Sequence, residues 1–437
     1  MNTKTADKGL VGTFIHYVSK NVLGMLGFSL YILADTFFVA QGVGETGLTA
    51  LNIAIPVYSF AYAIGLMLGM GGGTRFAILK ASGEAERKSR VFTEDAAAGL
   101  IAGIVIMLMG IFFSEPICRL VGADDVTIEA TNVYAKTVMC FAPAFIINNI
   151  LIPFVRNDGA PGLAMAAMLS GSLSNIVLDY VFIFPCGMGM FGASFATGLA
   201  PVVGMMVCSI HFIRKKNTFR LVKARLRFRT LKDICALGNA SFIGELSNGI
   251  VILILNMIIL SISGNTGVAA YGVVANVALV VMSIYTGISQ GIQPIVSSAH
   301  GRGNNAWEKK TYLMAIVTAL IFSAAVYIVS FIFAEPISSI FNSENNPLLT
   351  EIASDGMRIY FTGFFFAGIN VITAVYFSSV EKAVPSFVIS VMRGLAVIIP
   401  TAFIMSAIFG MTGVWLTFPV TELIVAATAM IMKKAIK

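Results

Sequence analysis

Five ionisable side chains stand out because they lie inside long apolar stretches of the sequence. They are four acids and one arginine: Asp35, Asp179, Glu245, Glu422 and Arg393. An ionised group at the centre of a bilayer costs about 2.5–3.5 kcal/mol on insertion scales, so each of them needs a partner or a purpose. A buried carboxyl group can bind a metal cation or exchange a proton, and the acids suggest these two chemistries.

Two of the acids are accompanied by neutral oxygen donors. Asn175 and Asp179 have the i, i+4 spacing that places side chains on one face of a helix. At roughly 1.5 Å of rise per residue, Asp35, Asp179 and Thr197 lie at depths of about 8, 9 and 10 Å from the predicted outer surface. We expect these four residues to line one polar chamber. The two carboxyl groups could exchange a proton, hold Na⁺, or form a neutral structural acid bonded to Asn or Thr.

The other three charges lie deeper. Arg393 and Glu422 are both about 14–15 Å deep on neighbouring antiparallel helices, which predicts a buried ion pair with a structural role rather than a role in transport. Glu245 has a similar depth in the seventh apolar stretch, and no cation is available to it. Glu245 is predicted to face either a central cleft, as a coupling or substrate site, or a hydrogen-bonding neighbour.

The sequence shows no arrangement typical of an enzyme active site. His16, His211 and His300 are scattered at the edges of apolar stretches, without Ser/His/Asp or metal-ligand spacing. The Gly-Gly-Gly sequence at 71–73 follows no predicted strand, so it is not a phosphate-binding loop. We therefore expect no enzymatic activity, no cofactor, and no metal site other than a Na⁺ site at the two paired acids.

The elements that carry these residues are predicted to be membrane helices. The chain of 437 residues is 57% hydrophobic and only 12% charged, with a mean hydropathy of +0.87. Water-soluble chains are about 25% charged, so the composition indicates an all-α polytopic membrane protein. The net charge of +7 does not indicate nucleic-acid binding, because the longest basic run, residues 214–232, lies between two apolar stretches and is explained by membrane topology.

Apolar runs separated by charged or Gly/Pro-rich breaks predict twelve transmembrane helices. Their approximate bounds are 13–40, 47–72, 90–113, 129–153, 161–185, 190–213, 235–261, 268–295, 311–333, 354–380, 384–406 and 412–432. On this division 24 of the 29 Lys and Arg residues lie on the same side as both termini, and only Arg119 lies in the opposite loops. The positive-inside rule then predicts cytoplasmic termini and a multi-pass protein of the cell (inner or plasma) membrane.

The two halves of the sequence repeat at an offset close to 220 residues. Matching positions include Gly71 with Gly291, Gly83 with Gly303, and Gly189-x-x-Gly192 with Gly410-x-x-Gly413. Because each half has an even number of predicted spans, both halves enter the membrane in the same direction, and a pseudo-two-fold axis along the membrane normal should relate them. We predict two six-helix lobes facing a central cleft, with an N-terminal lobe at 1–213, a basic cytoplasmic linker at 214–234 and a C-terminal lobe at 235–437.

Several motifs together indicate a family. They are Arg-Asn-Asp-Gly-x-Pro at 156–161, Asn-x3-Asp at 175–179, Gly-x-x-Gly-Ala at 189–193, and Trp415 with Pro419-x-x-Glu422. With these motifs the chain resembles, over its whole length, the multidrug and toxic compound extrusion (MATE) transporters of the bacterial multidrug-export branch.

The resemblance implies a two-lobed secondary active transporter that exports organic, lipophilic cations in antiport with H⁺ or Na⁺. The positions that match the cation-coupling residues of the family are Asp35, Asn175, Asp179 and Thr197. An asparagine of span 4, Asn148 or Asn149, also belongs to this set, and Glu245 resembles an acid that one branch of the family carries in span 7. The expected partners are the lipid bilayer and small organic cations, without nucleic acid, and we expect a monomer.

Two alternatives to a multidrug exporter are open at this point. A lipid-linked oligosaccharide flippase of the same superfamily should carry a cationic cavity for pyrophosphate, whereas the buried charges predicted here are four acids and one arginine. A membrane enzyme or receptor would need an active-site constellation or a sensing domain, and the sequence shows neither.

Overall fold

The computed structural model describes residues 3–340 and 346–435, without the side chains of residues 3–8, 45 and 340. The ends of the two predicted lobes, residues 1–2 and 436–437, lie outside this range. Within it the chain forms α-helices, a short 3-10 helix at Phe361–Gly363 and a π-helical segment at Met392–Ala396, without a β-strand. The α-helices are α1 Thr3–Gly42, α2 Glu45–Ala81, α3 Ala85–Leu120, α4 Ile128–Cys140, α5 Ala142–Asn157, α6 Pro161–Ile183, α7 Gly189–Ile213, α8 Phe228–Gly301, α9 Asn305–Ile332, α10 Ala334–Ile340, α11 Pro347–Tyr360, α12 Phe364–Ser379, α13 Ala383–Val391 and α14 Ile398–Ala435.

The helices account for the twelve predicted spans. In the described part of the chain, nine helical runs are long and apolar enough to cross a membrane, and the bent pair α4 and α5 makes a tenth. The α8 helix has 74 residues, a length of about 110 Å, which is far more than the roughly 30 Å of hydrocarbon in a bilayer. It is broken at Gly264 (φ 62°), and α14 is broken in the same way at Gly410 (φ 58°). Counting each broken run as two spans confirms twelve.

Two boundaries differ from the predicted ones. The fourth span is not one straight helix, because α4 and α5 meet at an angle of 50°. Pro143 lies in the first turn of α5, where its missing N–H is tolerated while the preceding helix must end. In addition, α8 begins at Phe228, so only 214–227 of the predicted linker is non-helical.

The internal repeat extends to the backbone of the turns. Three pairs of glycines at the predicted offset have positive φ angles: Gly44 and Gly264 (86° and 62°), Gly83 and Gly303 (84° and 66°), and Gly189 and Gly410 (53° and 58°). A residue with a Cβ atom is strained in this conformation, so the recurring glycines mark the same turns in both halves. We name helices α1–α7 the N-terminal lobe and helices α8–α14 the C-terminal lobe.

The two lobes contact each other at the end of the molecule that carries the start of α1 and the end of α14, which we name the termini side. A Cβ atom on Gly71 would lie 2.0 Å from the carbonyl oxygen of Ile234, and one on Gly238 would lie 1.8 Å from that of Met67. Only glycine permits such close backbone contact. Gly71 thus serves this packing between the lobes, whereas Gly72 and Gly73 pack against Asp95 and Asn157 within the N-terminal lobe, and the termini side is closed.

A buried carboxyl pair in the N-terminal lobe

Asp35 of α1 and Asp179 of α6 lie side by side in the N-terminal lobe. Their side chains are 8% and 0% exposed, and the two carboxyl groups are close enough to interact electrostatically. Two neighbouring carboxylates repel each other, so a proton on one of them is favoured and lets that carboxyl group donate to the other. Each acid also has a buried Oδ1 atom that makes no hydrogen bond to any described residue. The pair can therefore hold a proton between its members and accept a further cation ligand.

Neutral oxygen and nitrogen donors surround the pair. In the amide orientation that satisfies both of its groups, Asn175 donates from Nδ2 to Asp179 Oδ2 at 3.0 Å and accepts at Oδ1 from the Thr197 backbone N–H at 3.3 Å. The Thr197 hydroxyl lies 3.5 Å from the hydroxyl of Tyr134. The structure thus brings the four predicted residues together. It adds Tyr134, whose only sequence signal is a hydroxyl group within an apolar span.

A cavity of about 80 Å³ opens beside this cluster and has room for about five water molecules. Its lining includes Thr197, Asn148, Asn149 and, from the C-terminal lobe, Gln290. The Oδ1 atom of Asn148 is buried and has no hydrogen-bond partner among the described residues, whereas Asn149 donates to the carbonyl of Tyr62 at 3.5 Å. Among the described residues of its wall none is charged, and the apolar part includes Met25, Phe28, Tyr31, Met70 and Met168.

Glu245 lies in the first half of α8 and faces the N-terminal lobe. Its carboxyl group interacts electrostatically with Tyr58 and Tyr62 of α2, and its side chain is half-buried. Within the described residues it makes no hydrogen bond or ion pair. Of the two predicted surroundings, the structure thus places Glu245 at the gap between the lobes and not against a hydrogen-bonding neighbour.

Arg393 and Glu422 meet in the C-terminal lobe. Arg393 Nη2 lies 2.7 Å from Glu422 Oε1, and its Nε donates to both carboxylate oxygens at 3.0 Å. Asn370, which sequence reasoning did not identify, donates to Glu422 Oε2 at 2.6 Å and to the Glu422 carbonyl at 2.8 Å. Arg393 lies in the π-helical segment, so the irregular turn sets the direction of the guanidinium group.

Comparison with known proteins assigns the family. The family model MatE matches residues 22–181 and 241–404, one segment in each lobe. The chain belongs to the MatE family. Since members of this family are transporters, the chain is a multi-pass membrane transporter and not an enzyme or a receptor.

Relatives and solved structures cover nearly the whole of this MatE chain. The multidrug export protein MepA of Staphylococcus saprophyticus is 26% identical over 96% of the chain and 92% of the relative, and MepA of Staphylococcus aureus is 24% identical over the same shares. An outward-facing multidrug resistance MATE family transporter of the MOP superfamily has a TM-score of 0.91 at 23% identity, covering 97% of this chain and 95% of that chain. A MOP superfamily transporter from Pyrococcus furiosus has a TM-score of 0.90 at 24% identity with the same coverage. These structures share the fold of twelve helices in two bundles.

The MatE chain also contains buried charges that sequence reasoning missed. Glu94 and Asp95 of α3 are 1% and 0% exposed, and none of their carboxylate oxygens has a partner among the described residues. Both lie inside the predicted span 90–113, which is the signal that could have found them. Arg156 lies beyond the predicted span 129–153, but the helix extends further than predicted: Arg156 is in the last turn of α5 and is fully buried.

Outside the membrane spans, Asp158 fixes the start of the linker to the N-terminal lobe. It accepts from Lys80 Nζ at 2.7 Å, from His211 Nε2 at 2.9 Å and from the Thr218 backbone N–H at 2.7 Å. Burial by itself would raise the pKa of Asp158, but the hydrogen bonds from Lys80, Thr218 and His211 outweigh it and hold the pKa below its usual value. Phe219 follows directly and is buried among Phe76, Phe92, Phe154 and Phe212.

Proposed function

We propose that this MatE protein is a secondary active multidrug exporter that moves organic, lipophilic cations outward in antiport with H⁺ or Na⁺. The observation that carries the proposal is the pair of acids Asp35 and Asp179, which are buried together in the N-terminal lobe beside Asn175 and Thr197. Ionisable groups buried in a membrane protein destabilise the fold, so their presence here is explained if they bind a transported cation. One-for-one exchange of a monovalent ion for a monovalent organic cation moves no net charge, so a tenfold ion gradient, worth about 1.4 kcal/mol, would sustain a tenfold gradient of the substrate.

Coupling would follow from competition between the ion and the substrate for the N-terminal lobe. A proton or Na⁺ neutralises the carboxyl pair, whereas an organic cation in the adjacent cavity is attracted to the ionised pair. If each ligand stabilises a different arrangement of the two lobes, loading one promotes release of the other. The oxygen donors of two carboxyl groups, one amide and one threonine hydroxyl suit either ion, since hard cations prefer oxygen ligands.

The lining of the cavity supports organic cations as substrates. Methionine side chains adapt to ligands of different shape, and aromatic faces such as those of Phe28, Tyr31 and Tyr62 attract cations. The relatives named multidrug export proteins suggest a broad substrate range. A pyrophosphate-linked cargo would need cationic donors, and the described residues lining this cavity include no lysine or arginine; we therefore favour the exporter over the flippase.

The orientation in the membrane follows from the distribution of basic residues. With the termini in the cytoplasm, the closed termini side is the inner side, and the structure corresponds to an outward-facing state. Substrate release and ion entry would then take place from the far side in this conformation.

The test is substrate transport in proteoliposomes with a pH gradient and a Na⁺ gradient imposed separately. Wild-type protein should accumulate ethidium under one of the two gradients, and Asp35→Asn and Asp179→Asn should each abolish this accumulation. Asp125→Asn is the matched control, because Asp125 is exposed on the loop after α3 and, among the described residues, forms an ion pair with Arg119 alone. Full gradient-driven accumulation by either N-terminal-lobe variant would overturn the coupling assignment.

A further inference from the structure

Arg156 is a fully buried cation at the junction of four helices. Its guanidinium donates from Nη1 to Asn21 of α1 and to Gln290 of α8, each at 2.9 Å. Its Nη2 lies 3.5 Å from Met70 Sδ of α2 and 3.5 Å from Gln293 Oε1 of α8. Arginine stays protonated in proteins, so a full positive charge resides at this point.

The charge of Arg156 has no anionic partner. In the described part of the chain no carboxylate lies within ion-pair distance of it, and its Nε atom is buried without any partner. All its contacts are neutral oxygen atoms and one sulfur atom. A buried charge solvated only by neutral dipoles is less stable than a paired one, which indicates that the field of the charge itself has a use.

Arg156 lies next to the cavity of the N-terminal lobe, so its positive charge acts on any cation in that cavity. Met70 and Gln290, which contact its guanidinium, also line the cavity. Thr197, which belongs to the cluster around the carboxyl pair, lines the same cavity, so the acids lie behind one part of its wall and Arg156 lies behind another. A cation inside it is attracted towards the acids and repelled from the termini side.

We propose that Arg156 is an electrostatic barrier at the inner end of this cavity. It prevents H⁺ or Na⁺ that has entered the N-terminal lobe from leaking onward to the termini side while the lobes are closed there. A fixed arginine at a constriction blocks cations in the same way in water-filled pores. The inference rests on the proposed function for the presence of a cation in the cavity, and it adds a residue that controls leakage.

The barrier is assembled by closure of the lobes. Gln290 and Gln293 belong to the C-terminal lobe, and Gln293 also donates to Thr74 of α2 at 2.9 Å. Separation of the lobes on the termini side removes both glutamines from Arg156. The guanidinium is then free to move towards water, so the barrier is relaxed in the arrangement in which the ion must leave on that side.

The test is ion leak through purified protein in proteoliposomes without substrate. A pH or Na⁺ gradient is imposed, the membrane potential is clamped with valinomycin and K⁺, and the decay of the gradient is followed with a fluorescent indicator. Arg156→Gln removes the charge, and Gln290→Glu compensates it with a carboxylate 2.9 Å away in the wild-type geometry. We expect both variants to leak roughly tenfold faster than wild type, which corresponds to a barrier lower by about 1.4 kcal/mol. Arg156→Lys, which keeps the charge, should stay tight.

Arg75→Gln is the matched control, because Arg75 pairs with Glu381 across the same closed side without lining the cavity. A leak in Arg75→Gln as large as in Arg156→Gln would show that loosened closure is the cause and would overturn the barrier. Leak rates equal to the wild-type rate in both Arg156→Gln and Gln290→Glu would also overturn the proposed barrier.

If Arg156→Gln does not fold, the leak rate of Gln290→Glu decides the test, because this variant keeps the arginine and pairs it with a carboxylate. The leak is measured without substrate, so a negative result for Arg156 does not change the outcome of the transport assay with Asp35→Asn. If that transport assay contradicts the proposed function, the leak rates of the Arg156 variants can still be compared.

Discussion

At the scale of single residues, type and depth predicted the acids but not all of their partners. Depth along a helix can be counted from the sequence, and it predicted that Asp35 lies with Asp179 and that Arg393 lies with Glu422, which it contacts in the structure. Rotation about the helix axis cannot be counted when apolar residues lie on all faces. Tyr134 and Asn370 could therefore not be assigned to these sites, although both hydrogen-bond within them.

The Thr197 hydroxyl should contribute to ion affinity. Thr197→Val removes this oxygen next to Asn175 and Tyr134 while keeping the shape, and losing one hydrogen-bonding oxygen costs about 1 kcal/mol. We expect the ion concentration for half-maximal transport to change about fivefold, measured as transport rate against pH or Na⁺. Thr137→Val is the control, because within the described part of the chain the Thr137 hydroxyl donates only to the Val133 carbonyl of its own helix. Equal effects of the two variants would contradict a role of Thr197 in the site.

The ion pair of Arg393 and Glu422 should stabilise the C-terminal lobe without carrying ions. Glu422→Ala leaves the arginine unpaired in the membrane, and breaking a buried pair from one side costs about 3–5 kcal/mol. The thermal midpoint in detergent should fall for this variant and recover largely in the double variant Arg393→Met with Glu422→Leu. A double variant that is stable but has lost ion coupling would assign the pair to transport.

At the scale of elements, the number of spans and the repeat were predictable, whereas the breaks within helices were only partly so. Pro143 gave a local reason for the bend between α4 and α5. The glycines that turn the chain at Gly264 and Gly410 look like the many other glycines of this sequence until their φ angles are known. The linker was also only partly predictable. Its basic run predicted on which side of the membrane it lies, but the burial of Phe219 depends on four phenylalanines from helices distant in the sequence.

The anchor at Asp158 should make stability depend on pH on the acid side. The pKa of Asp158 is lower in the folded protein than the usual value of about 3.9, so its stabilisation is present at neutral pH and is lost as the pH falls through the folded-state pKa. Each hydrogen bond to a charged group contributes about 1.5–3 kcal/mol. The thermal midpoint of Asp158→Asn should lie below that of wild type at pH 7, and the gap should narrow below about pH 4. A gap that is constant from pH 7 to pH 3 would contradict this.

At the scale of the whole molecule, the sequence predicted two lobes but not which side is closed. One sequence must support both arrangements of an alternating-access transporter, so the closed side depends on a small difference in free energy between two sets of contacts. The contacts of the termini side include Gly71 against Ile234 and the pair Arg75 and Glu381. They join residues more than 160 positions apart, which no local pattern reveals.

The closed termini side should open during each transport cycle. With the five native cysteines replaced, Arg75→Cys and Glu381→Cys together should be joined by a short bifunctional thiol cross-linker with reducible ends, because the two long native side chains meet at their tips across the lobes. Transport should stop in the cross-linked protein and return after reduction. The control pair Glu86→Cys and Arg90→Cys, one helical turn apart on α3, should leave transport unchanged. Transport by a fully cross-linked inter-lobe variant would contradict alternating access through this closure.

The decisive measurement compares uphill accumulation with downhill exchange of ethidium in proteoliposomes that contain either wild-type protein or Asp179→Asn. If the carboxyl pair couples the ion to the substrate, wild-type protein accumulates ethidium against its gradient, whereas Asp179→Asn only equilibrates it and still exchanges it downhill. Undiminished uphill accumulation by Asp179→Asn would show that the ion is coupled elsewhere in the molecule.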